Sequence, residues 1–141
     1  MKTIMIKGSQ VSRRYYVIDA ANKPVGRLGV VIARLLMGKH KVDYTPHIDN
    51  GDYVIVKNAS RAIMTGKKSQ FKVFFWHSGY PGGLKHVYFK DAILKNPRFV
   101  FERVVRGMLP KNRLRKHRLR RMIVVKDDNV KIPSGAIEYK V

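Results

Sequence analysis

Residues 104–121, VVRGMLPKNRLRKHRLRR, set the hardest condition that a fold of this chain has to meet. Arg106, Lys111, Arg113, Arg115, Lys116, Arg118, Arg120 and Arg121 crowd into the run with no acidic residue among them. Charge at that density is not neutralised from within the segment, so it has to face solvent or an anionic partner. Met108, Leu109, Leu114 and Leu119 are interleaved with the cations. That pattern separates the run from a plain disordered basic tail and predicts a packed segment presenting arginines to a phosphate backbone. A solvated cationic face is the plainer alternative.

The remainder of the chain weighs against that alternative. Thirty Lys and Arg stand against nine Asp and Glu, for a formal charge of +21 and a pI near 10.6. A chain so unbalanced repels itself unless polyanions supply counter-charge, and nucleic acid is the first candidate. Ten of the basic residues lie in 1–60, eight in 61–100 and twelve in 101–141. A single basic tail on a neutral body is thereby excluded, and several surfaces have to face the anion together. The absence of cysteine removes disulfides, thiolate metal sites and cysteine nucleophiles. No apolar run reaches the length of a membrane span, and MKTIMIKGSQVSRR at the start lacks the apolar core of a secretory signal. Neither a membrane nor a small-molecule substrate is expected as a partner. The 141 residues suit one domain at 15–125, between a basic, extended arm over 1–14 and a tail over 126–141.

Within that domain, YYVIDA at 15–20 reads as a buried strand. Asn22 and Lys23 make a turn, and Pro24 suits the first turn of a helix, where its missing N–H costs nothing. Val25, Leu28, Gly29, Ile32, Leu35 and Leu36 then fall on one stripe at helical spacing, with Arg27 and Arg34 on the opposite face. Gly38 ends the helix, and Lys39, His40 and Lys41 follow where a negative helix terminus favours cations. A turn-rich loop at 44–52 leads to a second apolar strand at 53–56. Residues 61–65 (RAIMT) are expected as a further short strand, GKKSQ with Lys67 and Lys68 as a basic turn, and 71–76 (FKVFFW) as another strand. Residues 89–95 read as a short helix. Asn96 and Pro97 match an N-cap followed by proline at the first helical position, and Val100, Val104 and Met108, joined by Phe101 and Val105, give the next helix its buried stripe. Pro110 stops it, and 123–125 closes the fold as one more strand.

Three partial motifs point to enzymes and fail on inspection. Glycines at 26 and 29 lack the G-x-G-x-x-G spacing of a dinucleotide site, and Gly29 is better explained as a place where the helix approaches the sheet. Gly66-Lys67-Lys68 lacks the upstream glycine of a phosphate loop, since position 61 is Arg61. His47, Asp49 and Asp52 have no established metal-ligand spacing, and carboxylates in such a loop more often cap turns or pair with Lys and Arg. No catalytic residue, metal ligand or cofactor is therefore assigned. HSGYPGGLKH at 77–86 is different, because three glycines and a proline between Gly79 and Leu84 force a tight loop whose N–H groups can approach a bulky anion. Tyr80 is placed there to stack on an unpaired base and Lys85 to take a phosphate, with His77 and His86 flanking.

Four blocks carry a family resemblance: YVIDAANKPVGR at 16–27, GKHKVDYTPHIDNGDYVIV at 38–56, HSGYPGGLK at 77–85 and VRGMLPKNRL at 105–114. In this order they resemble the large-subunit ribosomal protein thirteen family, across most of 15–125. The resemblance implies an α/β fold, a three-layer α/β/α domain around a parallel four-stranded sheet with basic loops. It implies binding to large-subunit ribosomal RNA, neighbours among the large-subunit proteins, a part in early subunit assembly and no enzymatic activity. The RNA-facing regions it implies are the turn of Gly38, Lys39, His40 and Lys41, the loop of Ser78, Gly79, Tyr80, Gly82, Gly83 and Lys85, and Lys111 with Arg113; Asn112 between them is a further candidate. The ending DDNVKIPSGAIEYKV and Arg115 depart from the bacterial pattern, so the family's tail contacts do not carry over. LRKHRL is similar to organellar members and the MKT start to bacterial ones, leaving bacterial cytoplasm and organellar matrix or stroma both open. A free RNA-binding regulator of translation is the alternative from another class, and a metal-dependent RNA-processing enzyme using His47, Asp49 and Asp52 is a third.

Overall fold

Strand β1 (Tyr15–Asp19) and strand β2 (Tyr53–Lys57) are built from β-branched and aromatic residues whose middle three positions are all buried. Consecutive buried positions mean that both faces of the sheet are covered, the condition under which parallel sheets are stable. In the computed structural model, which describes residues 6–129 and 131–141, β1 and β2 run parallel with Tyr15 opposite Tyr53 and Asp19 opposite Lys57. Strand β5 (Met122–Val124) lies beside β2 and strand β6 (Ile137–Glu138) beside β1, both parallel, so the order is β5-β2-β1-β6. The protein is therefore α/β, with the four-stranded parallel sheet that the resemblance implies and helices around it.

Between β1 and β2 the chain forms α1 (Val25–Met37). Val25, Leu28, Ile32, Leu35 and Leu36 are buried and Arg27 and Arg34 exposed, in the phase that the spacing predicts. Pro24 stands one residue before the helix, its φ of −66° already helical and its carbonyl accepting the Leu28 N–H at 3.1 Å. Gly38 closes the helix in the left-handed region at φ 80°, which lets the Lys39 N–H fold back to the Arg34 carbonyl at 3.2 Å.

The second half adds a short helix α2 (Lys68–Phe71), the antiparallel hairpin of β3 (Val73–His77) and β4 (Leu84–Tyr88), then α3 (Phe89–Lys95), α4 (Pro97–Met108) and α5 (Leu114–Arg120). The Asn96 side chain accepts the Phe99 N–H at 3.3 Å with Pro97 in the first turn, as the Asn-Pro pair predicts. On α4 the buried set is Pro97, Val100, Phe101 and Val105, while Val104 is half-buried and Met108 is 38% exposed.

Five expectations differ from the structure. The stripe through Val100, Val104 and Met108 is displaced by about one position, because Val104 and Met108 lie over Gly29 of α1. A Cβ on Gly29 would stand 2.9 Å from Val104 Cγ1 and 3.1 Å from Met108 Sδ, so this glycine admits α4 and not the sheet. Residues 61–65 form no strand; a 3₁₀ turn (Ala59–Arg61) and a lone bridge between Pro24 and Ile63 stand there instead. The strand in question comes from the tail, where a two-residue segment is too short to show periodicity. The basic turn at GKKSQ is largely α2, and the arm expected over 1–14 contains a 3₁₀ turn (Gly8–Gln10), with residues 1–5 outside the described ones. Among the described residues no helix is long and apolar enough to cross a membrane.

Candidate nucleic-acid interface

The cations divide into an inner and an outer set. In α5, Arg118 and Arg121 at its end lie three residues apart and so share one side of the helix. That side faces inward: Arg118 is only 1% exposed and Arg121 is also buried. Asp49, from the loop between α1 and β2, meets both. The Arg121 fork takes both carboxylate oxygens, Nη1 on Oδ2 and Nη2 on Oδ1 at 2.6 Å, and Nη2 also reaches the Leu36 carbonyl at 3.3 Å. Arg118 Nε stands 3.5 Å from Asp49 Oδ1, and Arg13 Nη2 donates to the Asp49 backbone carbonyl at 3.3 Å. Burial pushes the Asp49 carboxyl up, but the Arg121 hydrogen bonds and the charges of Arg121, Arg118 and Arg13 outweigh it and hold the group below the ordinary carboxylate value.

Asp52 gathers a second inner set. Fully buried, it accepts the Arg14 backbone N–H at 2.9 Å, and it lies 2.7 Å from both Lys41 Nζ and His40 Nε2. Lys41 also donates to the Ser12 carbonyl at 2.7 Å. Of the turn expected to face RNA, Lys39 is exposed, while His40 and Lys41 point inward. Of the expected RNA-facing cations, Arg118 and Arg121 are buried and His40 and Lys41 partly covered, all four held against an aspartate. Two cations of a run that carries no acid of its own are thus paired with Asp49 from another part of the chain. The two aspartates pair with Lys, Arg and His as the loop chemistry suggests, His47 is exposed, and no group of three or more His, Asp or Glu among the described residues stands ready for a metal.

The outer set converges where the other side of α5 faces α4. A cleft of about 610 Å³ between them is lined by Arg106, Asn112, Arg113, Arg115, Lys116 and Arg120, together with Arg98. Arg115 Nη1 reaches the Arg106 carbonyl at 3.4 Å, tying the two walls. Arg98 was legible as the start of an i, i+4, i+8 row through Glu102 and Arg106, and Glu102, the one acid of the lining, sits 4.0 Å from it. Lys111 is exposed beside the cleft without lining it. Arg27 and Lys68 meet in a separate hollow of about 320 Å³, next to the exposed Lys67, and Arg34 is exposed further along α1.

The glycine-rich segment is the tip of the β3–β4 hairpin. Gly79 and Gly82 take positive φ, and the tip closes on itself: the Ser78 N–H donates to the Gly83 carbonyl at 3.0 Å, Gly83 N–H to the Tyr80 carbonyl at 2.9 Å and Gly79 N–H to His77 Nδ1 at 2.9 Å. Those three N–H groups are spent within the loop. What the tip offers outward is side chains, with Tyr80 at 76% exposure and His77, Ser78 and Lys85 also exposed.

A parallel α/β core that holds some of its cations on Asp49 and the buried Asp52 and gathers others around an open cleft defines a polyanion-binding protein without a metal-type centre among its described residues. The sequence says which one: residues 13–131 match the family described as ribosomal protein L13, and the chain belongs to that family. It is 52% identical over 123 residues to the large ribosomal subunit protein uL13 of Thermotoga petrophila, covering 87% of this chain and 83% of the relative. To the uL13 of Caldanaerobacter subterraneus subsp. tengcongensis it is 49% identical over 124 residues, 88% and 87% of the two chains. With the uL13 of Carboxydothermus hydrogenoformans the identity is 53% over 112 residues, 79% and 78%.

Proposed function

We propose that this chain is a structural constituent of the large ribosomal subunit that binds large-subunit ribosomal RNA and helps early assembly of the subunit. Membership of the L13 family, matched over 13–131, carries this reading, and the family's role is structural and not catalytic. The surfaces proposed to meet RNA are the α4–α5 cleft, the hollow of Arg27 and Lys68, Lys39, and the hairpin tip. Arginine suits the cleft because its planar fork can bridge two phosphate oxygens, where lysine offers a mobile point charge. The domain is read as three-layered, helices on both sides of the sheet, which the consecutive buried positions of β1 and β2 support. Residues 15–125 serve as the RNA-binding domain, with the arm over 1–14 flanking it and the tail over 126–141 adding β6 to its sheet. Neighbouring large-subunit proteins are the further partners. The named relatives come from bacteria, which supports a ribosome in the bacterial cytoplasm.

Sedimentation of a cell extract tests the reading. The chain is expected to travel with large subunits and their precursors, and in purified form to lose affinity for structured ribosomal RNA by orders of magnitude between low and moderate salt. Sedimentation apart from ribosomal particles, or a flat salt response, refutes it.

A further inference from the structure

We infer that the outward face of the β3–β4 hairpin is a stacking platform for unpaired nucleobases of RNA, an inference that rests on the RNA-binding reading above and adds a second mode to it. Side chains alternate along a strand, so Phe75 and His77 share one face with Leu84, His86 and Tyr88 of the partner strand. The other face packs on α4: Phe74 is buried, and the rings of Phe74 and Trp76 lie 5.7 Å and 6.4 Å from that of Phe99, with Trp76 still 44% exposed. The outward face is bare, with Phe75 56% exposed, Leu84 60% and Tyr88 47%. Apolar area of this kind, gathered on one sheet face, marks a site for a partner.

The rings are held but not consumed by each other. Phe75 and His86 stand 6.3 Å apart at 44°, and His86 and Tyr88 5.9 Å apart at 86°, so no two of them stack face to face and their π faces are left for an incoming ring. Arg103 Nη2 donates to the Phe75 carbonyl at 2.7 Å and pins the strand from α4. Aromatic side chains on such a fixed strand have little torsional freedom to lose on binding.

Charge decides the occupant. From position 67 to 90 the chain carries Lys67, Lys68, Lys72, Lys85 and Lys90 and not one carboxylate. By the same alternation Lys85 falls on the Trp76 side and Lys72 lies over the Phe74 ring, so the lysines flank the aromatic face and do not stand on it; single-stranded RNA brings a phosphate with every base to such flanking cations, and no carboxylate of the segment repels it. Aromatic rings on an open sheet with cations along its flanks are the combination by which unstacked bases are bound. Duplex RNA keeps its bases inside and offers nothing to this face.

The test uses the full chain with a short single-stranded RNA carrying 2-aminopurine and an RNA duplex of equal length. The double variant Phe75→Leu/Tyr88→Leu keeps apolar bulk at exposed positions and removes both rings, while Phe75→Tyr/Tyr88→Phe keeps them. The leucine variant is expected to lose about tenfold or more in affinity for the single strand, along with 2-aminopurine quenching, and to bind the duplex within about twofold of the parent. The ring-preserving variant should bind both as the parent does. Unchanged single-strand binding by the leucine variant, or an equal loss on both RNAs, overturns the inference. So does normal RNA binding with poor incorporation into large subunits, which would assign the face to a neighbouring protein. A parent chain that binds duplex but not single strand refutes the platform alone, and one that binds neither refutes the RNA-binding reading as well.

Discussion

Asp49→Asn should be among the most damaging isosteric changes in the protein. The substitution keeps the shape of the side chain and removes one negative charge, leaving the Arg118 and Arg121 side chains, 1% and 8% exposed, with no carboxylate beside them. Water cannot take over at that depth, and breaking a buried pair by removing one partner costs about 3–5 kcal/mol. Against a folding stability of about 5–15 kcal/mol that is a large fraction. With a urea dependence of about 2 kcal/mol/M, the unfolding midpoint should fall by about 2 M, read by circular dichroism at neutral pH. Arg121→Met added to Asp49→Asn removes one of the two stranded cations and should recover part of the loss, since an apolar side chain in place of a buried ion is well tolerated. An Asp49→Asn loss below about 1 kcal/mol, the value of an exposed pair, would mean that the arginines reach solvent and that the division into inner and outer cations is wrong.

Acid should act on the same pair. The folded Asp49 carboxyl lies below its ordinary value of 3.8, so its contribution is whole above about pH 4 and is lost as pH falls through the folded value; the gap in urea midpoint between parent and Asp49→Asn should close over that range and not at higher pH. Gly51→Ala would place a Cβ 1.8 Å from the Leu36 carbonyl oxygen, so a chain segment has to shift, and the melting temperature should drop by about 10 °C or more; a change within about 2 °C in a thermal melt would contradict the packing. In the cleft, Lys116→Ala should weaken binding to all RNAs alike and reduce the salt slope by about one in filter-binding titrations. Arg113→Lys should weaken specific ribosomal RNA more than random RNA, and equal effects on both would show a diffuse cationic surface.

The sequence by itself determined the local elements and the sign of the partner. β1, α1 with its buried stripe, the Gly38 stop and the Asn96 cap are read from neighbours within a few residues, because helix phase, capping and strand character are short-range properties. The excess of cations needs no coordinates, and the L13 blocks lie in plain order along the chain. Only the tertiary structure decided which cations are free. The run at 104–121 looks uniformly available, yet a helix has an inside and an outside, and the inside of α5 is set by Asp49, which stands 69 positions before Arg118 and 72 before Arg121. Asp52 turns His40 and Lys41 inward by the same means. The fourth sheet strand is two residues of the tail chosen by the open edge of β1, and the strand that returns from the glycine-rich tip, with the aromatic face it completes, exists only through pairing with β3. Each of these depends on a contact between distant segments, and a long-range contact leaves no period in the local sequence from which to read it.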